Sequence, residues 1–366
     1  MVTVSFNNVW KDYGGGALAV KELNMNIKDG EFVSLLGPSG CGKSTSLRML
    51  AGLEHISSGE IVFGDKIVNT LPPKDRDIAM VFENYALYPH KTIFDNIANP
   101  LKQAKIPADE IKRRVIDVAK LLEIEQLLER RPQELSGGQK QRTAIGRAIV
   151  RQPQVFLFDE PIAHLDAKLR ARMRSELKHL QHKLGVTTIY VTHDQLEALT
   201  MADRIAVMND GVLQQFDTPQ EVYQNPANSW VATFVGEPGM SLMEMEMTRM
   251  DGDLALAFEN KTIKLDLKNK ARLTAAGKTK LLVGIRPDKA SVSQLEIPGA
   301  FECQIYSRQL LGADVLVEVE FGTSRVRAKA DTSFVGAVGA VCHLIFRSED
   351  MYFFDAEDGK AIPHQC

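Results

Sequence analysis

The chain has 366 residues, and its 44 basic and 47 acidic side chains give a formal net charge of −3. This length suits two domains of roughly 150 residues each, or three, with enough apolar surface for a well-packed core. Neither the part before Gly236 nor the part after it is basic, which argues against a nucleic-acid partner. No stretch approaches the roughly 20 apolar residues of a membrane span, and the N-terminus lacks a signal-peptide core.

The cysteines indicate a reducing compartment. Cys41, Cys303, Cys342 and Cys366 are scattered along the chain, and no two of them form a CxxC pair. This usage fits a cytosolic protein and argues against a disulfide framework or a cysteine-based metal site. We therefore expect neither a membrane-spanning nor a secreted chain.

In chain order, the first part alternates apolar strands with helices. Residues 2–9 and 31–36 read as strands, and the second leads into a glycine-rich turn and an apolar-periodic helix. Helical signals dominate 107–152. Apolar runs at 155–158, 187–192 and 204–209 are predicted as strands, separated by helical segments at 167–185 and 194–202. Such alternation is typical of an α/β domain with a buried parallel sheet.

The pattern changes near Gly236. Short β-like runs alternate there with Gly, Asp and Pro turns, which predicts a small all-β barrel or sandwich. We place the domain boundary after residue 235, with domains at 1–235 and 236–366.

A phosphate-binding motif follows the second strand. Residues 37–44 fit the pattern G-x-x-x-x-G-K-[ST] between a strand and a helix. The glycines let backbone N–H groups turn inward and form an anion nest with the helix N-terminus. Lys43 adds a positive charge, and the Ser44 hydroxyl suits Mg²⁺. The candidate phosphate-binding residues are Gly37, Ser39, Gly40, Cys41, Gly42, Lys43, Ser44 and Thr45.

Two further segments carry candidate chemistry. Asp159 and Glu160 end the apolar run at 155–158, where Asp159 would hold Mg²⁺ and Glu160 would act on an attacking water. The segment from Ser136 to Gln139, Ser-Gly-Gly-Gln, opens a helix at about Gln139, and its free N–H donors suit a phosphate.

Together, these ordered motifs resemble the ATP-binding cassette ATPases over residues 1–235. The resemblance implies ATP and Mg²⁺ as cofactors and two cassettes paired head to tail around each nucleotide. It also implies that Tyr13 stacks on adenine and that His193 contacts the γ-phosphate. Ser136, Gly138 and Gln139 would bind the partner's nucleotide, and Asp166 would link the two sites.

Over nearly the whole chain, the amino-acid sequence is most similar to the subfamily that powers bacterial maltose and glycerol-phosphate importers. That resemblance implies a helical subdomain inserted at about 84–152, and an oligonucleotide-binding-like β-barrel that serves dimer contacts and regulation. It implies two membrane-spanning permease subunits, an extracytoplasmic solute-binding protein acting indirectly, and a place on the cytoplasmic face of the inner membrane. It favours a carbohydrate, polyol or glycerol-phosphate-type solute.

Alternatives remain open at this point. Polyamine, iron and anion importers have similar ATPases, so the solute class rests on resemblance alone. A soluble cassette protein of translation or DNA repair is disfavoured, because the chain has one phosphate loop and no basic arm. A further alternative is that the β region senses a ligand or holds a regulator, a role compatible with transport.

The chain departs from the family at three positions. Glu83 stands where the family usually has Gln, and Ala163-His164 stands where it usually has Ser-Asn. Glu83 remains an oxygen donor beside Mg²⁺ and the γ-phosphate, but it adds charge. The changes are either tolerated in a homodimer, or they indicate a heterodimer with a related cassette.

The position of Cys41 suggests a reactive thiol. It lies two residues before Lys43 at a helix start, surroundings that stabilise a thiolate. We therefore expect Cys41 to be alkylated faster than the other cysteines and to be protected by bound ATP.

Overall fold

The computed structural model describes residues 2–259, 261–312 and 314–363. The chain divides into two compact units at Pro219. Residues 220–235, which precede the predicted domain boundary, pack with the second unit. Cys366 lies outside the described residues. In the described part of the chain, no helix is both long and apolar enough to cross a membrane.

The first unit is an α/β body. Its strands are β1 (Val4–Asp12), β2 (Leu18–Ile27), β3 (Phe32–Leu36), β4 (Ser58–Phe63), β5 (Lys66–Ile67), β6 (Ile78–Val81), β7 (Val155–Asp159), β8 (Thr187–Thr192), β9 (Arg204–Asn209) and β10 (Val212–Asp217). Its helices are α1 (Lys43–Ala51), α2 (Ile93–Gln103), α3 (Ala108–Leu121), α4 (Gly137–Ile149), α5 (Ala167–Leu184) and α6 (Gln195–Met201).

These strands form two sheets. A six-stranded sheet has the order β10-β9-β3-β8-β7-β6, and every neighbouring pair in it is parallel except β9 with β10. An antiparallel sheet has the order β2-β1-β4-β5. Strand β3 is buried along its whole length, as its continuous apolar run predicts. The predicted strands of this unit and its α/β class are confirmed.

Helices α2, α3 and α4 lie between β6 and β7 in the chain. Each has an apolar stripe facing a core shared with β7, through residues such as Ile97, Val115 and Ile145. The N-terminus of α2 is capped by Thr92, whose hydroxyl accepts from the N–H of Asp95. This insertion therefore builds its core against the parallel sheet.

The second unit contains α7 (Pro219–Gln224), which begins at the dividing residue, α8 (Ser229–Phe234) and α9 (Leu267–Ala276). Its strands are β11 (Ser241–Met250), β12 (Asp253–Phe258), β13 (Lys261–Lys264), β14 (Lys280–Ile285), β15 (Ser291–Ser293), β16 (Phe301–Leu311), β17 (Asp314–Phe321), β18 (Ser324–Asp331), β19 (Val341–Ile345) and β20 (Tyr352–Asp355). Two five-stranded antiparallel sheets result, in the orders β13-β12-β11-β14-β20 and β15-β19-β16-β17-β18.

Both sheets of the second unit enclose one apolar core. In the second sheet, the edge strands β15 and β18 approach each other, which gives that sheet a barrel-like curl. The all-β prediction misses α9, which is capped by the Asp266 carboxylate and ended by Gly277 in the left-handed conformation. The Arg286 guanidinium, almost fully buried, donates to the carbonyls of Val235 and Tyr223 and so ties β14 to the start of the unit.

Candidate nucleotide-binding site

The candidate site lies at the carboxyl ends of neighbouring parallel strands. In the register, Leu36 of β3 is opposite Thr192 of β8, and Asp159 of β7 is opposite Val191. The segments that follow these three strands therefore leave the sheet at the same level. In open α/β sheets this edge is where ligands bind.

The phosphate loop requires glycine at its two ends. A Cβ on Gly37 would lie 2.2 Å from the carbonyl oxygen of Met208, and one on Gly42 would lie 2.4 Å from that of Ala19. Gly42 also has φ 102° at the N-cap of α1, a conformation that favours glycine. The loop is thus packed closely against neighbouring backbone, with no room for a side chain at either glycine.

Lys43 is held inside this loop. Its ammonium donates to the carbonyl oxygens of Gly37 and Pro38, each at 2.8 Å, and the side chain is buried. An ammonium has three donors and no acceptor, so these contacts fix a positive charge at the centre of the loop. That position suits a phosphate group.

The structure corrects the expectation for Cys41. The thiol lies 3.7 Å from the Lys43 ammonium, as the sequence suggests, but only 3% of the residue is exposed. Burial raises the pKa of the Cys41 thiol, and the opposing effect of Lys43 is smaller. The thiol is therefore protonated and shielded at neutral pH, and fast alkylation is no longer expected.

Ser44 and Asp159 meet across the site. The Ser44 hydroxyl donates to the Asp159 carboxylate at 3.0 Å. Burial raises the pKa of Asp159, while this hydrogen bond and Arg48 act in the opposite direction. The charges of Glu160 and Glu83 raise it further. Two hard oxygen donors thus lie side by side in an electrostatically acidic corner.

Glu160 and His193 form a carboxylate–imidazole pair. Nδ1 of His193 lies 2.9 Å from Oε2 of Glu160. The Glu160 backbone is in the left-handed region with φ 48°, and its N–H donates to the carbonyl of Val191 on β8. Non-glycine residues in this conformation concentrate at functional sites, and here it turns the chain sharply after β7.

Glu83 follows β6 and meets a residue that sequence reasoning did not pair with it. Nε2 of His164 lies 3.1 Å from Oε1 of Glu83, and both side chains are more than half exposed. Two of the three departures from the family pattern are therefore in direct contact. The third, Ala163, makes no side-chain hydrogen bond because it has no polar atom.

Two arginines that sequence reasoning missed hold the loops around this pair. Arg147 of α4 donates to the carbonyls of Tyr85 and Ala86, whose φ angles are 60° and 47°. Arg170 of α5 donates to carbonyls on both sides of His164. The only sequence signal was a basic residue among apolar neighbours on each helix, which does not reveal a partner.

The predicted residues Ser136, Gly138 and Gln139 lie at the start of α4. Ser136 caps α4, which begins at Gly137, and the side chains of Ser136 and Gln139 bond to each other's backbone N–H. Gly138 packs against Leu169, whose methyl groups would lie 3.1 and 3.2 Å from an added Cβ.

Asp166 and Tyr13 lie outside the cluster of polar contacts just described. Asp166 caps α5 by accepting from the N–H of Leu169 at 2.9 Å. Tyr13 follows β1 with half of its surface exposed, and the Lys11 ammonium lies 4.5 Å from its ring centre. Ser39, Gly40 and Thr45 belong to the phosphate loop or the first turn of α1.

A family model described as "ABC transporter" matches residues 20–163. The trehalose/maltose import ATP-binding protein MalK of Thermococcus litoralis is 49% identical, and the alignment covers 99% of this chain and 100% of that protein. The chain belongs to the ATP-binding cassette ATPases of ABC transporters. The protein is therefore an ATPase coupled to transport. The family and the enzyme class predicted from the sequence are both confirmed.

Other relatives of this cassette ATPase are named for the import of different compounds. The sn-glycerol-3-phosphate import ATP-binding protein UgpC 3 of Agrobacterium fabrum is 46% identical, and the diacetylchitobiose uptake protein MsiK of Streptomyces coelicolor is 43% identical. In both cases 99% of this chain and 100% of the relative are covered.

Among solved structures, the dimeric cassette MJ0796 bound to ADP and Pi is 35% identical with a TM-score of 0.53. It covers 59% of this chain, and 98% of that chain is covered. CbiO1 of Clostridium perfringens, part of the transporter complex CbiONQ, is 32% identical with a TM-score of 0.56 over 60% of this chain and 89% of its own.

Proposed function

We propose that this protein is the ATP-hydrolysing subunit of an importer for a carbohydrate, a polyol or a glycerol-phosphate-type solute. The observation that carries the proposal is the single strand edge where the phosphate loop, the Ser44–Asp159 contact and the Glu160–His193 pair meet. The solute class is supported by full-length relatives that import sugars or sn-glycerol-3-phosphate.

The residues present fit Mg²⁺. The Ser44 hydroxyl and the Asp159 carboxylate offer adjacent hard oxygens, the ligand type that Mg²⁺ prefers. Among the described residues, no group of three or more His, Cys, Asp or Glu side chains could hold a metal. This is consistent with a cation that takes most of its ligands from phosphates and water. Mg²⁺ held by Ser44 and Asp159 would neutralise phosphate charge, and Glu83 offers a further oxygen on the same side of the sheet.

Different side chains of the protein have different roles in the proposed hydrolysis of ATP. Lys43 and the loop N–H groups hold the phosphates, and the Glu160 carboxylate orients and activates the attacking water. An ionised carboxylate only accepts hydrogen bonds, so Nδ1 of His193 carries the proton in the Glu160 pair. For His193 also to donate to the γ-phosphate while keeping that bond, its Nε2 must be protonated as well.

Each site requires a second cassette in this proposal. Ser136, Gly138 and Gln139 would bind the nucleotide of the partner, Asp166 would connect the two sites, and Tyr13 would stack on adenine. The dimeric form of MJ0796 supports pairing. The partner is either a second copy or a related cassette, and the second unit would contribute dimer contacts and regulation.

We propose that the loop after β6 contacts a permease subunit. Arg147 holds this loop, and Tyr88 is exposed within it, which suits a helix offered by a permease subunit. We propose two permease subunits, an indirect extracytoplasmic solute-binding protein and a peripheral place on the cytoplasmic face of the inner membrane. Polyamine, iron and anion importers remain the alternative solute classes.

Coexpression with the permease subunits tests this proposal. The complex, reconstituted with its binding protein, is expected to hydrolyse ATP faster when a transported sugar or glycerol phosphate is added. A panel that includes spermidine, ferric iron and sulfate distinguishes the solute classes. Absence of Mg²⁺-dependent hydrolysis in the assembled complex would reject the ATPase role, and two cassettes of one sequence in an active complex would reject the heterodimer.

A further inference from the structure

Three carboxylates surround the phosphate-binding corner, and each of them lies beside a polar side chain. Asp159 accepts from the Ser44 hydroxyl and Glu160 is paired with His193. The third carboxylate, Glu83, is paired with His164. The facing atoms are Nε2 of His164 and Oε1 of Glu83, 3.1 Å apart.

The Glu83 carboxylate belongs to the same corner. Glu83 lies two residues after β6, the parallel neighbour of β7, and Val81 of β6 is opposite Phe158, the residue before Asp159. A phosphate chain brought to Lys43 would add more negative charge at short range. Like charges repel one another, and at the half-exposed Glu83 water screens this repulsion in part, so an unpaired third carboxylate would moderately oppose nucleotide binding.

The contact joins two loops that are each fixed by an arginine. Arg170 donates to the carbonyls of Ala163 and Leu165, the residues on either side of His164. Arg147 donates to carbonyls two and three residues after Glu83. The backbones that carry both partners are therefore held by separate helices, α5 and α4, which limits how far either side chain can move away.

We propose that His164 is a positioning residue for Glu83 and that the two side chains act as one unit. The imidazole holds the carboxylate in place, so that the pair substitutes for the Gln and Asn usual in related cassettes. The inference deepens the proposed function and rests on it. It gives one shared role to two residues that would otherwise be two unrelated departures from the family pattern.

A double-mutant cycle in the full-length protein tests the pair. The variants are Glu83→Gln, His164→Asn and the double variant, with His182→Asn, an exposed histidine of α5, as the matched control. The first measurement is the affinity for trinitrophenyl-ATP in EDTA, which requires neither metal nor hydrolysis. His164→Asn is expected to weaken binding about threefold, and the double variant is expected to return to the wild-type value.

Steady-state hydrolysis gives the second measurement. His164→Asn is expected to raise the Mg²⁺ concentration for half-maximal rate about threefold, and adding Glu83→Gln should restore it. Additive effects in both assays, with His164→Asn and the double variant equally impaired, would overturn the inference. If wild-type protein shows no Mg²⁺-dependent hydrolysis, the proposed function fails instead, while the metal-free binding cycle still reports on the pair.

Discussion

His193 and Glu160 are held 2.9 Å apart although they follow different strands of the central sheet. Strand β8 lies beside β7, and the Glu160 N–H is itself bonded to the carbonyl of Val191. The two side chains are thus positioned by the sheet that carries them. This placement suits the proposed general-base role of Glu160, because the attacking water must be held within hydrogen-bond reach.

Glu160→Gln should abolish turnover while preserving nucleotide binding. The amide keeps the shape of the side chain but cannot take up a proton, so hydrolysis should fall about 100-fold or more. Bound ATP should then accumulate in a stable dimer. Phosphate release and size-exclusion chromatography with ATP measure the two effects. Steady-state hydrolysis at the wild-type rate would contradict the role of Glu160.

Lys43→Ala should act on binding itself. The variant removes the charge that the loop carbonyls hold at its centre, and a charge-assisted hydrogen bond contributes enough for a loss of about 10- to 100-fold in ATP affinity. Lys120→Ala, an exposed position on α3, is the control. Equal ATP affinity of the two variants in an equilibrium titration would show that Lys43 does not hold the phosphates.

Cys41 should react slowly and in a pH-dependent way. Because the thiolate is the reactive form and burial raises the pKa of this thiol, labelling should be slow at pH 7 and should accelerate as the pH rises. Cys303, with a pKa raised to about 11 by burial, should be slow as well. Peptide mapping after brief alkylation compares the sites. Rapid labelling of Cys41 at pH 7 would restore the original expectation of a thiolate.

Arg147→Ala should loosen the loop after β6. Two hydrogen bonds to loop carbonyls are lost, which should lower the free energy of unfolding by about 1–2 kcal/mol. With permease subunits present, we expect substrate stimulation to decline more than basal hydrolysis. Urea denaturation and ATPase assays on the complex measure these effects, with Arg151→Ala as an exposed control. Unchanged stimulation would mean that the loop needs no such support.

Glu197 should make the free energy of unfolding depend on pH. Burial raises the pKa of this carboxyl, although Tyr190 and Thr192 donate to it. The folded state therefore binds a proton at a higher pH than the unfolded state, and stability falls as the pH rises through that window. Relative to Glu197→Gln, the wild type should gain stability as the pH falls through the raised pKa of Glu197. Parallel pH curves for the two proteins would be evidence against this shift.

The sequence predicts the parts of the site that depend on local spacing. The phosphate loop and the acidic strand end need fixed residue types at fixed offsets. The partnership of Ser44 with Asp159 follows once β3 and β7 are known to be parallel strands of one sheet, with β8 between them. The helix cap at Ser136 was also visible locally, although α4 begins two residues earlier than expected.

Features that depend on tertiary packing were not predictable. The burial that raises the pKa of Cys41 is set by its surroundings in the fold, where a Cβ on Gly37 would meet the Cys41 sulfur at 2.6 Å. The contact of Glu83 with His164 depends on two loop conformations, one of which includes consecutive left-handed residues at Tyr85 and Ala86. Nothing in the residue types at 83 and 164 indicates that they meet.

The Glu83–His164 contact also bears on how such a pair could evolve. From an ancestor with Gln and Asn at these positions, two substitutions are needed, and their order matters. Histidine first leaves a neutral amide beside an imidazole, which adds no charge. Glutamate first places a third carboxylate near Asp159 and Glu160 without its imidazole partner. The path through Gln and His is therefore the less costly one, and cassettes with that combination should be more common among relatives than those with Glu and Asn.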